Sequence, residues 1–78
     1  MSDIHKRVMK VINYYGLNVN NFSKEIGLNN NVTIDRIVKA KSAPSHAVIT
    51  RILTRFKDID ANWLIQGKGA MEIKKNDA

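Results

Sequence analysis

Apolar residues recur in this chain in short blocks at helical spacing, and a glycine, an asparagine run or a proline closes each of the first three. Such a chain can fold only as several short helices around a shared core. The first block is Ile4, Val8, Val11, Ile12 and Tyr15. It follows the start signal Ser2-Asp3 and stops at Gly16, which accepts the left-handed backbone of a helix C-terminus. A helix is expected over about 3 to 15, with Lys6, Arg7 and Lys10 mainly on its other faces. Asn18 is a candidate N-cap for a second helix, about 19 to 26, with Val19, Phe22 and Ile26 inward and Gly27 at its end. The run Leu28-Asn29-Asn30-Asn31 suits a turn, because Asn tolerates left-handed backbone and caps helices. A third helix follows over about 31 to 39, with Ile34, Ile37 and Val38 apolar.

The loop Lys39-Ala40-Lys41-Ser42-Ala43-Pro44 breaks the pattern, since a residue before proline is disfavoured from helix. Ser45 then caps a fourth helix, about 46 to 56, whose stripe is Val48, Ile49, Ile52, Leu53 and Phe56. Arg51 and Arg55 stand four apart on one side of it. Asp58 or Asp60 caps a short fifth helix, about 61 to 66, carrying Trp63, Leu64 and Ile65. Gly67-Lys68-Gly69 ends it. Nothing reads as a sheet. The expected fold is all-α, five short helices in one domain over residues 1–71, with 72–78 a polar tail or the start of a linker.

At 78 residues the chain is one domain, and nearly every apolar residue must serve the core. It has no cysteine, so disulfides and thiolate metal sites are excluded. His5 and His46 stand apart and read as surface residues, far short of the usual four-ligand zinc set. No metal or cofactor is expected. No segment approaches the ~18 apolar residues that cross a membrane, and Met1–Lys10 lacks a signal-peptide core. A cytoplasmic, nucleoid-associated location is the expectation. Net charge is +6, which attracts polyanions, nucleic acid before anionic membrane.

Two short helices joined by a tight turn, inside a basic helical domain, suggest a helix-turn-helix. Its mechanics need a small residue where the helices cross, supplied by Ser23, and a turn residue, supplied by Gly27. Phe22, Ile26, Ile34 and Ile37 would anchor the pair to the core. Asn30, Asn31, Thr33 and Arg36 would keep the leading end and outer face of the third helix polar.

On these residues the chain resembles the phage-repressor-like (lambda repressor-like) helix-turn-helix domains, a five-helix DNA-binding family. Their motif places a small residue four before a turn glycine and an aliphatic residue six after it. Ser23 and Gly27 match the first two positions, while Ile34 stands seven after Gly27, which implies one inserted residue in the turn Asn29-Asn30-Asn31. Ala43-Pro44-Ser45 resembles the family's Pro-Ser approach to the fourth helix. Asp60-Ala61-Asn62-Trp63-Leu64-Ile65-Gln66-Gly67-Lys68-Gly69-Ala70-Met71 resembles its tryptophan-leucine-x-x-glycine-x-glycine ending. The resemblance spans about 4 to 71.

Carried over residue by residue, it implies base reading by Asn31, Val32, Thr33 and Arg36, with Asn30 replacing Asn31 if the insertion lies elsewhere in the turn. Arg36 could pair with guanine and Asn31 with adenine. Phosphate contacts fall on Asn20 and Asn21, at the N–H-rich start of the second helix, and on Lys39, Lys41 and Ser42. Val19 stands where the family often has glutamine, so that contact is absent or passes to Asn20. The implied function is sequence-specific binding of double-stranded DNA by a transcription regulator, a repressor of bacterial, phage or mobile-element origin. The implied partner is a palindromic operator bound by a homodimer that is weak or monomeric when free. Ile65, Met71 and Ile73 are the candidate dimer contacts.

Each assignment has a plainer alternative. Arg36 can be a solvated helix residue paired with Asp35 or another acid, and the asparagine run only a turn. Trp63 reads as core. Gly67-Lys68-Gly69 lacks both the third glycine and the preceding strand of a dinucleotide loop. The chain has no serine–histidine–acid set and no cysteine, and little room for a pocket of ~300 Å³, so an enzyme is not expected. An antitoxin or protein-interaction module with the same fold is the alternative, marked by exposed apolar residues beside the fifth helix.

Overall fold

The computed structural model describes residues 3–73. Five helices follow in order, α1 (Ile4–Tyr14), α2 (Val19–Glu25), α3 (Val32–Val38), α4 (His46–Arg55) and α5 (Ala61–Gln66). No strand forms among the described residues, and the β-type pairing there is an isolated antiparallel bridge between Ile59 and Glu72. The helices begin where local chemistry supplies an acceptor for orphan N–H groups. Asp3 accepts from the Lys6 amide, Asn18 from Asn21, Ser45 from Val48 and Asp60 from Trp63. The bond from the Lys6 amide also holds the Asp3 carboxyl below the usual carboxylate range. Residues 3, 15, 26, 31, 39 and 56, expected as helical, are cap positions instead.

The first three helices end in the same way. Leu17 N bonds the Ile12 carbonyl at 3.0 Å, Leu28 N bonds Ser23 at 2.9 Å, and Lys41 N bonds Arg36 at 2.8 Å. These are the six-to-one bonds of Schellman caps, which need a left-handed residue one position earlier. Gly16 and Gly27 take that role as expected, but in α3 it falls to Ala40, at φ 59°. After the left-handed residue, Leu17 and Leu28 pack against the core. Lys41 holds the equivalent place and is exposed.

The core unites all five helices. Val8, Val11 and Ile12 of α1 meet Phe22, Ile26, Ile34, Ile37, Val48, Ile52, Phe56, Ile59, Trp63 and Leu64. Each such side chain contributes ~1.5–3 kcal/mol when fully buried. Phe56 stacks on Phe22 at 5.4 Å and lies 4.4 Å from Tyr15. Burial, reinforced by Asp58, pushes the Tyr15 phenol pKa up.

Four residues depart from the sequence expectation. Arg7, expected on an outer face of α1, is buried, 4% exposed. Its Nε donates to the Leu64 carbonyl at 2.9 Å and its Nη2 to Ile65 at 3.1 Å. The carbonyls ending a short helix have no helical partner, and the guanidinium supplies one. Gly67, left-handed at φ 74°, leaves the space, since a Cβ there would stand 2.9 Å from Arg7 Nη1. His5, expected at the surface, is half-buried, with Nδ1 2.9 Å from the Ile37 carbonyl. Glu72 and Ile73, expected in the tail, stay tied to the body: Glu72 bridges Ile59, and Ile73 N donates to Asp58 at 2.8 Å. The rest of that tail, 74–78, lies outside the described residues.

Candidate nucleic-acid interface

α3 has two unlike sides. Ile34 and Ile37 are fully or almost fully buried, while Val32, Thr33 and Arg36 are exposed. At 3.6 residues per turn those three occupy an arc of about 100°, turned away from the core. Asn30 and Asn31, both exposed, lead into the same end of the helix. Val32 is 56% exposed, an unusual position for a β-branched apolar residue that the core does not use. Val32, Thr33 and Arg36 therefore share one side of α3, and Asn30 and Asn31 are exposed in the turn that leads into it.

The two asparagines of this turn play different parts. Asn30 Oδ1 accepts the Val32 amide at 3.0 Å, which shapes the approach to the helix. Asn31 stands at the N-cap, but its side chain makes no capping bond. Behind α3, Ser23 is 1% exposed and its Oγ donates to the Val19 carbonyl at 2.8 Å. A small side chain that satisfies its own hydroxyl lets α2 lie against α3.

Of the expected phosphate-binding residues, Asn20, Asn21, Lys39 and Lys41 are exposed and Ser42 is half-buried. Some of their backbone groups are already used. The Asn21 amide is held by Asn18 Oδ1 at 2.7 Å, which corrects the expectation of a free N–H there. The Lys41 and Ser42 amides both point to the Arg36 carbonyl, at 2.8 and 3.4 Å. Anion contact from these three residues is left to their side chains. Lys39 pairs with Asp35 across one helical turn at 3.0 Å, an exposed i,i+4 pair worth ~0.3–0.5 kcal/mol. A phosphate competes easily with so weak a partner. Lys39, not Arg36, is the cation paired with Asp35, so the plainer reading of Arg36 as a partner of Asp35 finds no contact here. Arg36, Lys39 and Lys41 set three cations at this end of α3 against one acid, Asp35, which biases it toward anions.

The sequence reading left three supports of this surface unassigned. His5 ties α1 to the Ile37 carbonyl in the last turn of α3. Arg51 Nη1 donates to the Ile26 carbonyl at 3.1 Å, and Arg55 pairs with Glu25, so α4 clasps the end of α2. The four-residue spacing of the two arginines was visible; their targets, 25 and 30 residues away, were not. Among the described residues no cluster of His, Cys, Asp or Glu could hold a metal ion. No described helix is long and apolar enough to cross a membrane.

No protein-family model, curated protein or solved structure gives a significant match to this chain.

Proposed function

We propose that the chain is a sequence-specific double-stranded DNA-binding regulator of repressor-like helix-turn-helix type. The observation that carries this reading is the exposed side of α3, where Asn31, Val32, Thr33 and Arg36 stand free of the core next to cationic Lys39 and Lys41. α2 and the turn through Gly27 form the supporting arm. α3 enters the major groove, with Arg36 and Asn31 reading base edges and Val32 or the Thr33 methyl against a thymine methyl. Asn31 is favoured over Asn30 because the Asn30 side-chain carbonyl is engaged by Val32. Lys39, Lys41, Ser42, Asn20 and Asn21 hold phosphates, which fix register without reading sequence. Occupying a promoter would repress it.

Selection of bound duplexes from a random DNA pool tests the reading. It expects a short recurring motif, repeated with two-fold symmetry, whose enrichment is lost in Arg36→Ala. No enriched motif would overturn it. A second reading, a protein-interaction or antitoxin-type module on the same helices, draws on Ile65 and Ile73, each 47% exposed beside or beyond α5.

A further inference from the structure

A second surface lies behind the α2–α3 turn. A groove of about 410 Å³ runs between the end of α2, at Glu25, Ile26 and Gly27, and the outer side of α4, at Thr50, Arg51, Thr54 and Arg55. Its lining is largely apolar, and Arg51 and Arg55 are among the residues that form it. We infer that this groove binds a small organic anion, a carboxylate or phosphate head on an apolar body. The inference stands apart from DNA recognition, because it uses none of the base-reading or phosphate-holding residues.

The donor inventory carries the argument. A guanidinium has five N–H donors. Arg51 spends one on the Ile26 carbonyl and Arg55 one on Glu25. The hydroxyls of Thr50 and Thr54, one helical turn apart, make no hydrogen bond within the described residues. Against this surplus of donors stands one carboxylate, Glu25. The groove therefore favours a ligand rich in acceptor oxygens, and planar carboxylate suits a guanidinium best. The apolar lining, from Ile26, the threonine methyls and the arginine stems, calls for an apolar body next to that head. The volume suits a small molecule.

Gly27 is part of this design. Its backbone is left-handed at φ 83°, and a Cβ there would lie 2.8 Å from Arg51 Nη1. The bare turn lets Arg51 lie across it, so one guanidinium both braces the turn and faces the groove. Arg55 is steadied at 5.2 Å over the Phe56 ring.

Amide NMR titration of the full chain at constant ionic strength tests the site, with sodium benzoate as probe and acetate and benzyl alcohol as half-probes. Benzoate should move the Gly27, Thr50, Arg51 and Thr54 amides saturably, with a Kd of about 1–10 mM for so few heavy atoms. Acetate and benzyl alcohol should each bind at least ~5-fold more weakly, because each supplies half of the interaction. Arg55→Gln should weaken benzoate by a similar factor while leaving the amides of α1 and α5 in place. Thr54→Val, a nearly isosteric change, should weaken it less. Shifts spread evenly over Lys39, Lys41 and Lys57, or none that saturate, would overturn the inference. So would an Arg55→Gln variant that binds benzoate unchanged. If a DNA duplex moves Thr50 and Thr54 as strongly as Thr33 and Arg36, the groove is a seat for DNA phosphate and the inference falls. Failure of the chain to bind DNA would sink the proposed function alone, since the benzoate titration reads the groove by itself.

Discussion

The backbone amide of Lys41 donates to the carbonyl of Arg36 at 2.8 Å, so a candidate phosphate contact is bolted to the candidate base-reading residue. The bond exists only because Ala40 between them adopts a left-handed backbone, φ 59°. An alanine there costs about 1–2 kcal/mol that glycine would not. Ala40→Gly should stabilise the fold by ~0.5–1 kcal/mol, after the greater freedom of glycine in the unfolded chain is deducted. Urea unfolding measures it. Because Ala40 is exposed, no packing is lost with its methyl, and a destabilised variant would contradict this account.

Arg36 projects from the exposed side of α3, and its side chain makes no ion pair among the described residues. If it reads a guanine, Arg36→Ala should lose ~1–3 kcal/mol on the selected site and relax preference at one base pair. Fluorescence anisotropy on the selected duplex and on single-base variants separates the cases. Equal losses on selected and random duplexes would reduce Arg36 to a phosphate contact.

Lys39 and Lys41 should act through charge alone. Each phosphate neutralised contributes about 0.9 to the slope of log affinity against log salt. The double alanine variant should therefore flatten the slope by nearly two units and leave the preferred sequence unchanged. Asp35→Asn, which frees Lys39 from its ion pair, should tighten binding at low salt. An unchanged slope in the double variant would move the DNA surface off this loop.

Much of the architecture was legible because its determinants are local. Gly16, Gly27 and Gly67 announce left-handed turns, Asn18, Ser45 and Asp60 announce caps, and the 3.6-residue period sorts Ile34 and Ile37 from Thr33 and Arg36. What the sequence hid is either non-local or carried by backbone. Arg7 reads as a solvent residue in any window of α1, because its acceptors lie 57 and 58 residues away. His5 is hidden for the same reason. Ala40 carries no turn signal, although it closes α3 as the glycines close α1 and α2. Ile59 sits in a stretch without helical period, yet it is buried in the core, and its backbone bridges Glu72. At the candidate interface the residue types were readable, but the use of the Asn21, Lys41 and Ser42 amides by the fold itself was not.

Arg7 should matter for stability far more than its charge suggests. It is buried, and hydrogen bonds from a charged donor contribute ~1.5–3 kcal/mol each. Arg7→Met keeps the apolar stem but strands the Leu64 and Ile65 carbonyls. We expect a loss of about 2–4 kcal/mol in urea unfolding, a large fraction of the total for a domain this small. Hydrogen exchange should show α5 released first. A loss within ~0.5 kcal/mol, the range of ordinary surface substitutions, would show that the guanidinium contacts contribute little.

Recognition by one α3 covers too few base pairs to single out an operator, so the DNA-bound form should be a two-fold dimer with recognition helices about 34 Å apart. Of the exposed large apolar side chains, Val32 lies on the proposed DNA side, and Tyr14, Ile65 and Ile73 lie elsewhere. Tyr14 is tied to Glu72 by its hydroxyl, which places it beside the final described segment. Met71, also a candidate contact, is half-buried, packs on the core and accepts the Asp60 amide at 2.8 Å through its carbonyl. Met71→Asp would therefore disturb the fold together with any contact, and Ile65→Asp and Ile73→Asp are the cleaner probes. A few such side chains bury far less than the ~1,200 Å² of a stable interface, so the free chain should sediment as a monomer or weak dimer. On a palindromic duplex it should sediment as two copies per site. Each aspartate variant should weaken the second binding event while leaving half-site affinity intact. Tight binding of one copy to a site without repeat, indifferent to both substitutions, would exclude this mode of pairing.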